Sequence, residues 1–271
     1  MLNLIPFTPE PPHDIMMRFP FSRTHVIALL LLTAFFAAGC ISRPTENASP
    51  GELFILGQQD LRSERFEAAR EAFKRLLREY PGSKHRREAL LNLADSYFKE
   101  EQYIEAKEQY HEYVKRYRFS PHTSRAYYHL GMSDYNQIFS FDRDQSLAQA
   151  ALKSFKELVK HSPKSKFAGQ AKEKIREIRE ILGKSSLFIA RFYLRRGQRV
   201  SAIPRFREII KEYRDLPKIR AEAIFYLGES FQLEESYQKA GKTYRTLIIE
   251  YPRSPFSQEA YDRLLELTKN N

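Results

Sequence analysis

The sequence predicts an all-α solenoid of five helix pairs closed by a C-terminal capping helix, and three observations lead there. Beyond residue 51 helical patterns dominate, with proline and glycine confined almost entirely to the punctuation between them. A motif of alanine, an aromatic residue four later and a tyrosine seven after that recurs at Ala69-Phe73-Tyr80, Ala106-Tyr110-Tyr117, Ala202-Phe206-Tyr213 and Ala240-Tyr244-Tyr251. Twelve residues ahead of each alanine stands a small residue preceded by an aliphatic one, at Leu56-Gly57, Leu93-Ala94, Ile189-Ala190 and Leu227-Gly228.

Residues 1–39 carry a targeting signal. Read from Met17, Arg18 and Arg23 form a short positive region, Val26 to Phe36 an apolar one, and Ala37-Ala38-Gly39 the small residues before a cut. The apolar run is too short to span a bilayer comfortably. Met1 to Met16 hold Pro6, Pro9, Pro11 and Pro12 and have no signal character, which places the true start at Met16 or Met17. The single cysteine, Cys40, ends this segment. The arrangement resembles a bacterial lipoprotein signal, in which the thiol receives a diacylglyceryl group, the chain is cut before it, and the new amino terminus is N-acylated. A secretory signal with an accidental cysteine is the alternative. Ile41 and Ser42 stand where aspartate would favour inner-membrane retention, which points to the outer membrane.

Residues 40–51 read as a flexible tether, with Pro44, Pro50, Ser42, Ser49 and Asn47 and few apolar residues. A triacylated Cys40 would hold the protein on a membrane, because one chain alone anchors only marginally. With its thiol consumed, no cysteine is left for a disulfide or metal site.

Residues 52–271 form the solenoid. In each of five repeats the small residue marks where two helices cross closely and the aromatic fills the space between them. Ala151-Phe155-Ser162 is a degraded copy, with Leu130-Gly131 twenty residues ahead of its alanine. Pro81, Pro121, Pro163, Pro217 and Pro252 follow the second helices and prevent their continuation. The third repeat gains eight residues around Asp142. The fourth gains about fourteen, in which Ala168, Ala171, Ile175, Ile178 and Leu182 recur at helical spacing. Either a long first helix or a helix broken near Gly183 accommodates them. Phe256 to Leu267 supplies the cap.

No metalloprotease, nucleophile-elbow, phosphate-loop or paired-cysteine motif is present, and the seven histidines are isolated. No catalytic or metal-binding residues emerge, and no cofactor beyond the acyl groups on Cys40 is expected. The chain carries a formal net charge of +11. Such a balance suits acidic proteins, anionic lipid or nucleic acid, the last opposed by export, but basic residues scattered over solvated faces explain it as well.

Counting from the small residue, the first-helix positions facing a groove in repeats one to three are Phe54, Gln58, Leu61, Leu91, Asp95, Phe98, Tyr128, Met132 and Tyr135. This lining is mainly apolar and aromatic and suits an extended or helical peptide. Aromatic stripes at this spacing also serve as ordinary core. The same count in repeat four includes Arg191.

The repeat spacing looks like that of tetratricopeptide repeats, five of them over Leu53 to Tyr251. The run Asp142-Arg143-Asp144, the alanines 148, 150 and 151, Phe155, Leu158-Val159, Pro163 and Ser165 resemble the third repeat of the BamD lipoproteins. Ser186 to Gly197, with Ala190, Tyr193 and Arg196-Gly197, continues the similarity. The resemblance implies a non-enzymatic scaffold on the periplasmic face of the outer membrane, part of the machinery that assembles β-barrel proteins there. Its amino-terminal repeats would receive the aromatic C-terminal signal of unfolded outer-membrane proteins. Its carboxy-terminal repeats would dock on a POTRA-domain insertase beside other assembly lipoproteins, with no nucleic acid involved. The family's docking arginine in the second helix of repeat four corresponds to Arg205. Competing readings are another repeat lipoprotein coordinating cell-wall synthesis or secretion and, from a different class, a lipid-anchored hydrolase.

Overall fold

The computed structural model describes residues 47–269; the signal 1–39, Cys40 and residues 41–46 of the tether lie outside the described residues. Eleven helices and no strand occur among the described residues. Helices α1 (Pro50–Arg62) and α2 (Phe66–Glu79) form the first pair, α3 (Arg86–Lys99) and α4 (Tyr103–Arg116) the second, and α5 (Thr123–Tyr135) and α6 (Ser146–His161) the third. Helices α7 (Lys166–Arg195) and α8 (Arg199–Glu212) form the fourth, α9 (Pro217–Leu233) and α10 (Tyr237–Glu250) the fifth, and α11 (Pro255–Lys269) follows as the cap. Each helix packs on the next in chain order, and the fold is a tetratricopeptide-repeat solenoid.

Helix α1 starts earlier than the tether boundary at 51 anticipates. The Ser49 side chain accepts from the Glu52 N–H, and the Glu52 carboxylate accepts from the Ser49 N–H at 2.8 Å, a reciprocal cap that fixes the first turn. Pro50 then sits at the first helical position, where its missing N–H has no partner to lose. Ala48 is buried and its carbonyl accepts from the Tyr80 hydroxyl at 2.9 Å, so the chain is already tied to the first repeat before the helix begins.

The crossing geometry follows from the glycines. A Cβ on Gly57 would stand 2.6 Å from the Phe73 ring, one on Gly131 2.8 Å from Phe155, and one on Gly228 2.5 Å from Tyr244. Each ring is the aromatic of the repeated motif and each is fully buried, so ring and helix backbone fill one space that leaves no room for a side chain. Ala94 and Ala190 hold the same register, and with Tyr110 and Phe206 they are fully buried.

Within four of the pairs the chain reverses through one residue at positive φ: Glu64 at 58°, Glu101 at 62°, Gly197 at 72° and Glu235 at 58°. In the third pair the eight-residue insertion replaces this turn with the segment between α5 and α6, residues 136–145. The insertion in the fourth repeat becomes helix, since α7 runs unbroken for 30 residues through Gly183. Gly183 is buried, and a Cβ there would lie 3.1 Å from Ile219 of α9. The glycine therefore serves a close helix contact rather than a break. Ala171 and Ile178 in the first half of α7 complete the core of repeat three with Phe155 and Leu158, while Leu187, Ala190 and Leu194 in its second half enter the core of repeats four and five.

Candidate peptide-binding face and docking residues

On the first helices of repeats one to three, an aromatic line is half-buried rather than closed off. Phe54 stacks on His85, with centroids 4.8 Å apart and planes 21° apart, and leans on Phe73. Phe98 meets His129 edge-on at 4.9 Å. His129 in turn contacts Tyr128 at 5.5 Å, and Tyr128 contacts Phe167 of α7 at 5.5 Å. The rings thus form one run from α3 to α7. Leu61 and Met132 are half-buried beside the cores of their own repeats.

Two of the nine groove positions are not available to a ligand. Leu91 is 3 % exposed and belongs to the first core. Asp95 is buried; it accepts from the Tyr110 hydroxyl at 2.6 Å and pairs with Arg125 of α5. Burial and the Asp95 charge push the Tyr110 hydroxyl well above its ordinary value, which keeps it protonated as the donor. Asp95 therefore ties repeat two to repeat three under the aromatic line. Counting positions from the crossing residue puts these residues on one side of their helices but cannot separate the residue that looks out from the one a neighbouring helix covers.

Tyr135 ends the line differently. Its hydroxyl donates to Glu177 Oε2 at 2.5 Å, Lys174 Nζ donates to the hydroxyl oxygen at 3.2 Å, and the same ammonium lies 4.3 Å from the ring centroid. The hydrogen bond from Lys174 holds the Glu177 carboxyl below its usual range, and the bond to Glu177 raises both the Lys174 ammonium and the Tyr135 phenol. His129, half-buried against three rings, is pushed down by desolvation and stays neutral near pH 7. His129, Arg125, Phe167 and Lys174 were not singled out as groove residues. Their roles come from the partner helix, and only the adjacency of Tyr128 and His129 could have signalled one of them.

Arg191 and Arg205 occupy different settings. Arg191 on α7 donates to Glu222 Oε1 at 3.0 Å across to α9, and its guanidinium lies 4.6 Å from the Tyr226 ring. Burial raises the Glu222 carboxyl despite this pairing. Arg205 on α8 is half-buried, flattened on the Tyr193 ring at 4.2 Å and donating to the Ser201 carbonyl at 2.6 Å. Pro204 before it has no N–H, yet α8 continues through it. Among the described residues no group of three His, Cys, Asp or Glu side chains could hold a metal ion, and no helix is long and apolar enough to cross a membrane.

These features meet those of known proteins along most of the chain. A family profile described as outer membrane lipoprotein, YfiO, matches residues 46–236, and a tetratricopeptide-repeat profile matches residues 222–254. A relative from Neisseria meningitidis serogroup A, named outer membrane protein assembly factor BamD, is 28% identical over 86% of this chain and 91% of its own length. Relatives of the same name from Rickettsia prowazekii and Caulobacter vibrioides are 28% and 27% identical, covering 91% and 92% of this chain and 99% and 83% of their own. With one profile spanning well over half of its length and full-length relatives of one name behind it, the chain belongs to the YfiO family of outer membrane lipoproteins.

Proposed function

We propose that the protein is a lipid-anchored scaffold of outer-membrane protein assembly, as its relatives' names indicate for them. It is held by acyl groups on Cys40 to the periplasmic face of the outer membrane and works by binding, with no chemical step. The first-helix face of repeats one to three takes the aromatic C-terminal signal of unfolded barrel precursors. The observation that carries this reading is the line of half-exposed rings, Phe54, Phe98, Tyr128 and Tyr135, on three successive first helices. Such rings present large contact area with few rotatable bonds and stack readily on incoming aromatic side chains. Repeats four and five dock on a POTRA-domain insertase, with Arg191 and Arg205 at the contact. A tethered groove raises the local concentration of substrate at the insertase, which is the gain a scaffold supplies.

The test is direct. Phe98→Ala with Tyr128→Ala weakens binding of a fluorescent peptide bearing an aromatic barrel C-terminus by about tenfold or more, as loss of two buried-face anchors does, while the Arg191→Ala variant binds it as the parent does. A double variant that melts early but binds the peptide normally would place the rings in the core alone.

A further inference from the structure

One register position divides the repeats. Three residues after the crossing residue, repeats two, four and five place an aromatic: Tyr97, Tyr193 and Phe231. Each ring lies under a cation from a second helix. Arg70 and Lys74 stand 4.8 and 5.2 Å from Tyr97, Arg205 4.2 Å from Tyr193, and Arg207 5.6 Å from Phe231. Repeats one and three place aspartates there: Asp60, which pairs with Arg65, and Asp134. Lys107 and His111 occupy on α4 the places that Arg70 and Lys74 occupy on α2, and Lys107 there reaches the Asp134 carboxylate instead of a ring at that register. What remains is an open groove of about 540 Å³ between α4, α5 and α6, floored by Val114, Leu130 and Tyr127.

The groove is cationic and its floor holds an unmet acceptor. Lys115, Arg118 and Lys153 line it, against one carboxylate on the rim, Glu157, which pairs with His161 at 3.0 Å. The Asp134 side chain is 1 % exposed; Oδ1 accepts from Lys107 Nζ at 2.7 Å, and Oδ2 is buried without a hydrogen-bond partner. A buried carboxylate oxygen left unpaired is a deficit that a ligand donor would relieve. The groove lies on the side of the second helices, α4 and α6, apart from the ring-lined first-helix face.

We infer that this groove seats a tyrosine carried on an acidic segment of a partner polypeptide. The ring fills the place that Tyr97 fills one repeat earlier, stacked under Lys107 and His111. Its hydroxyl donates to Asp134 Oδ2, and flanking carboxylates meet Lys115, Arg118 and Lys153. Charge complementarity selects an acidic segment, and the free acceptor selects a phenol over a plain ring.

The probe is a fluorescein-labelled peptide, Asp-Glu-Gly-Tyr-Gly-Glu-Asp, titrated by anisotropy against the full chain in detergent. Replacing its tyrosine by alanine weakens binding about tenfold, and so does reversing the rim with Lys115→Glu and Lys153→Glu. Asp134→Tyr closes the groove with the chain's own ring; it abolishes peptide binding and raises the melting temperature. Lys242→Glu with Arg245→Glu on α10, both exposed, changes binding less than about twofold. Equal losses from the α10 and rim reversals would reduce the effect to net charge and overturn the proposal, as would undiminished binding to Asp134→Tyr. Displacement of the peptide by soluble dihexanoyl phosphatidylglycerol would assign the groove to lipid headgroups instead. If Asp134→Tyr does not fold, the rim variant decides, because its two lysines are exposed.

Discussion

Repeats one to three and repeats four and five are built on the same crossing and finished for different neighbours. In the front region the first helices carry rings that touch one another and stay half-exposed, from Phe98 through His129 to Tyr128 and Phe167. Both regions tie successive first helices by an ion pair at one register with the charges reversed, Asp95 to Arg125 in front and Arg191 to Glu222 behind, where the arginine also covers Tyr226. Only the shared part is required by the fold. The crossing residue and the ring it meets set helix spacing, whereas the exposed positions are free to differ, and that freedom lets one solenoid offer different faces at its two ends.

The sharing is tested by filling the crossing in each region. Gly131→Val and Gly228→Val each push a side chain into a fully buried ring, Phe155 or Tyr244, that has nowhere to go. Overpacking of this kind lowers stability by about 1–3 kcal/mol, and the helix preference of valine over glycine returns only a small part of it. Chemical denaturation should give losses of similar size for the two variants. A loss in one region and none in the other would mean that the crossing is not a common element.

The differing faces predict opposite responses to pH. His129 in the front region has a depressed folded-state pKa, because burial among rings disfavours its cation. The unfolded chain therefore binds the proton first as pH falls through about 6.5, and stability drops until the lowered folded pKa is passed. In the back region burial raises the Glu229 carboxyl above its ordinary value. The folded state then takes the proton before the unfolded one, so the burden of its buried charge is full at neutral pH and disappears as pH falls through the raised folded value to the unfolded one near 4.5. His129→Phe should flatten the loss between pH 7.5 and 5.5 in thermal melts. Glu229→Gln should stabilise at pH 7.5 and lose that advantage toward pH 4.5. Identical pH profiles for parent and both variants would remove this distinction between the faces.

How much of this is legible in the sequence depends on whether a property is local. The repeat, its crossing glycines and the cap helix are written at fixed spacing, and that spacing alone pairs Gly57 with Phe73. Helix α7 was open between two forms because a glycine in a helical pattern reads as a weak point; what decides for continuity is Ile219, 36 residues on in the chain and packed at Gly183. Spacing groups the candidate groove residues but does not say which of them are exposed. Leu91 and Asp95 share the spacing of Phe98, yet packing of the neighbouring repeat covers them, and Asp95 is held by Arg125 from the next repeat. Asp134 was invisible for the same reason, since its meaning comes from comparison with Tyr97 and Tyr193 under their cations.

The smallest expected effect concerns the turns. Repeat four reverses through Gly197 at φ 72°, whereas repeats one, two and five reverse through Glu64, Glu101 and Glu235 at φ near 60°. For a residue with a Cβ that conformation costs about 1–2 kcal/mol, while glycine avoids the clash but surrenders about 0.5–1 kcal/mol more backbone freedom on folding. The two terms nearly offset. Glu101→Gly should therefore raise stability by a few tenths of a kcal/mol, and Gly197→Glu should lower it by as much, measured as a shift in denaturation midpoint at constant slope. A loss for Glu101→Gly would mean that the glutamate side chain holds the front turn. The front and back repeats would then differ in their reversals as well as in their faces.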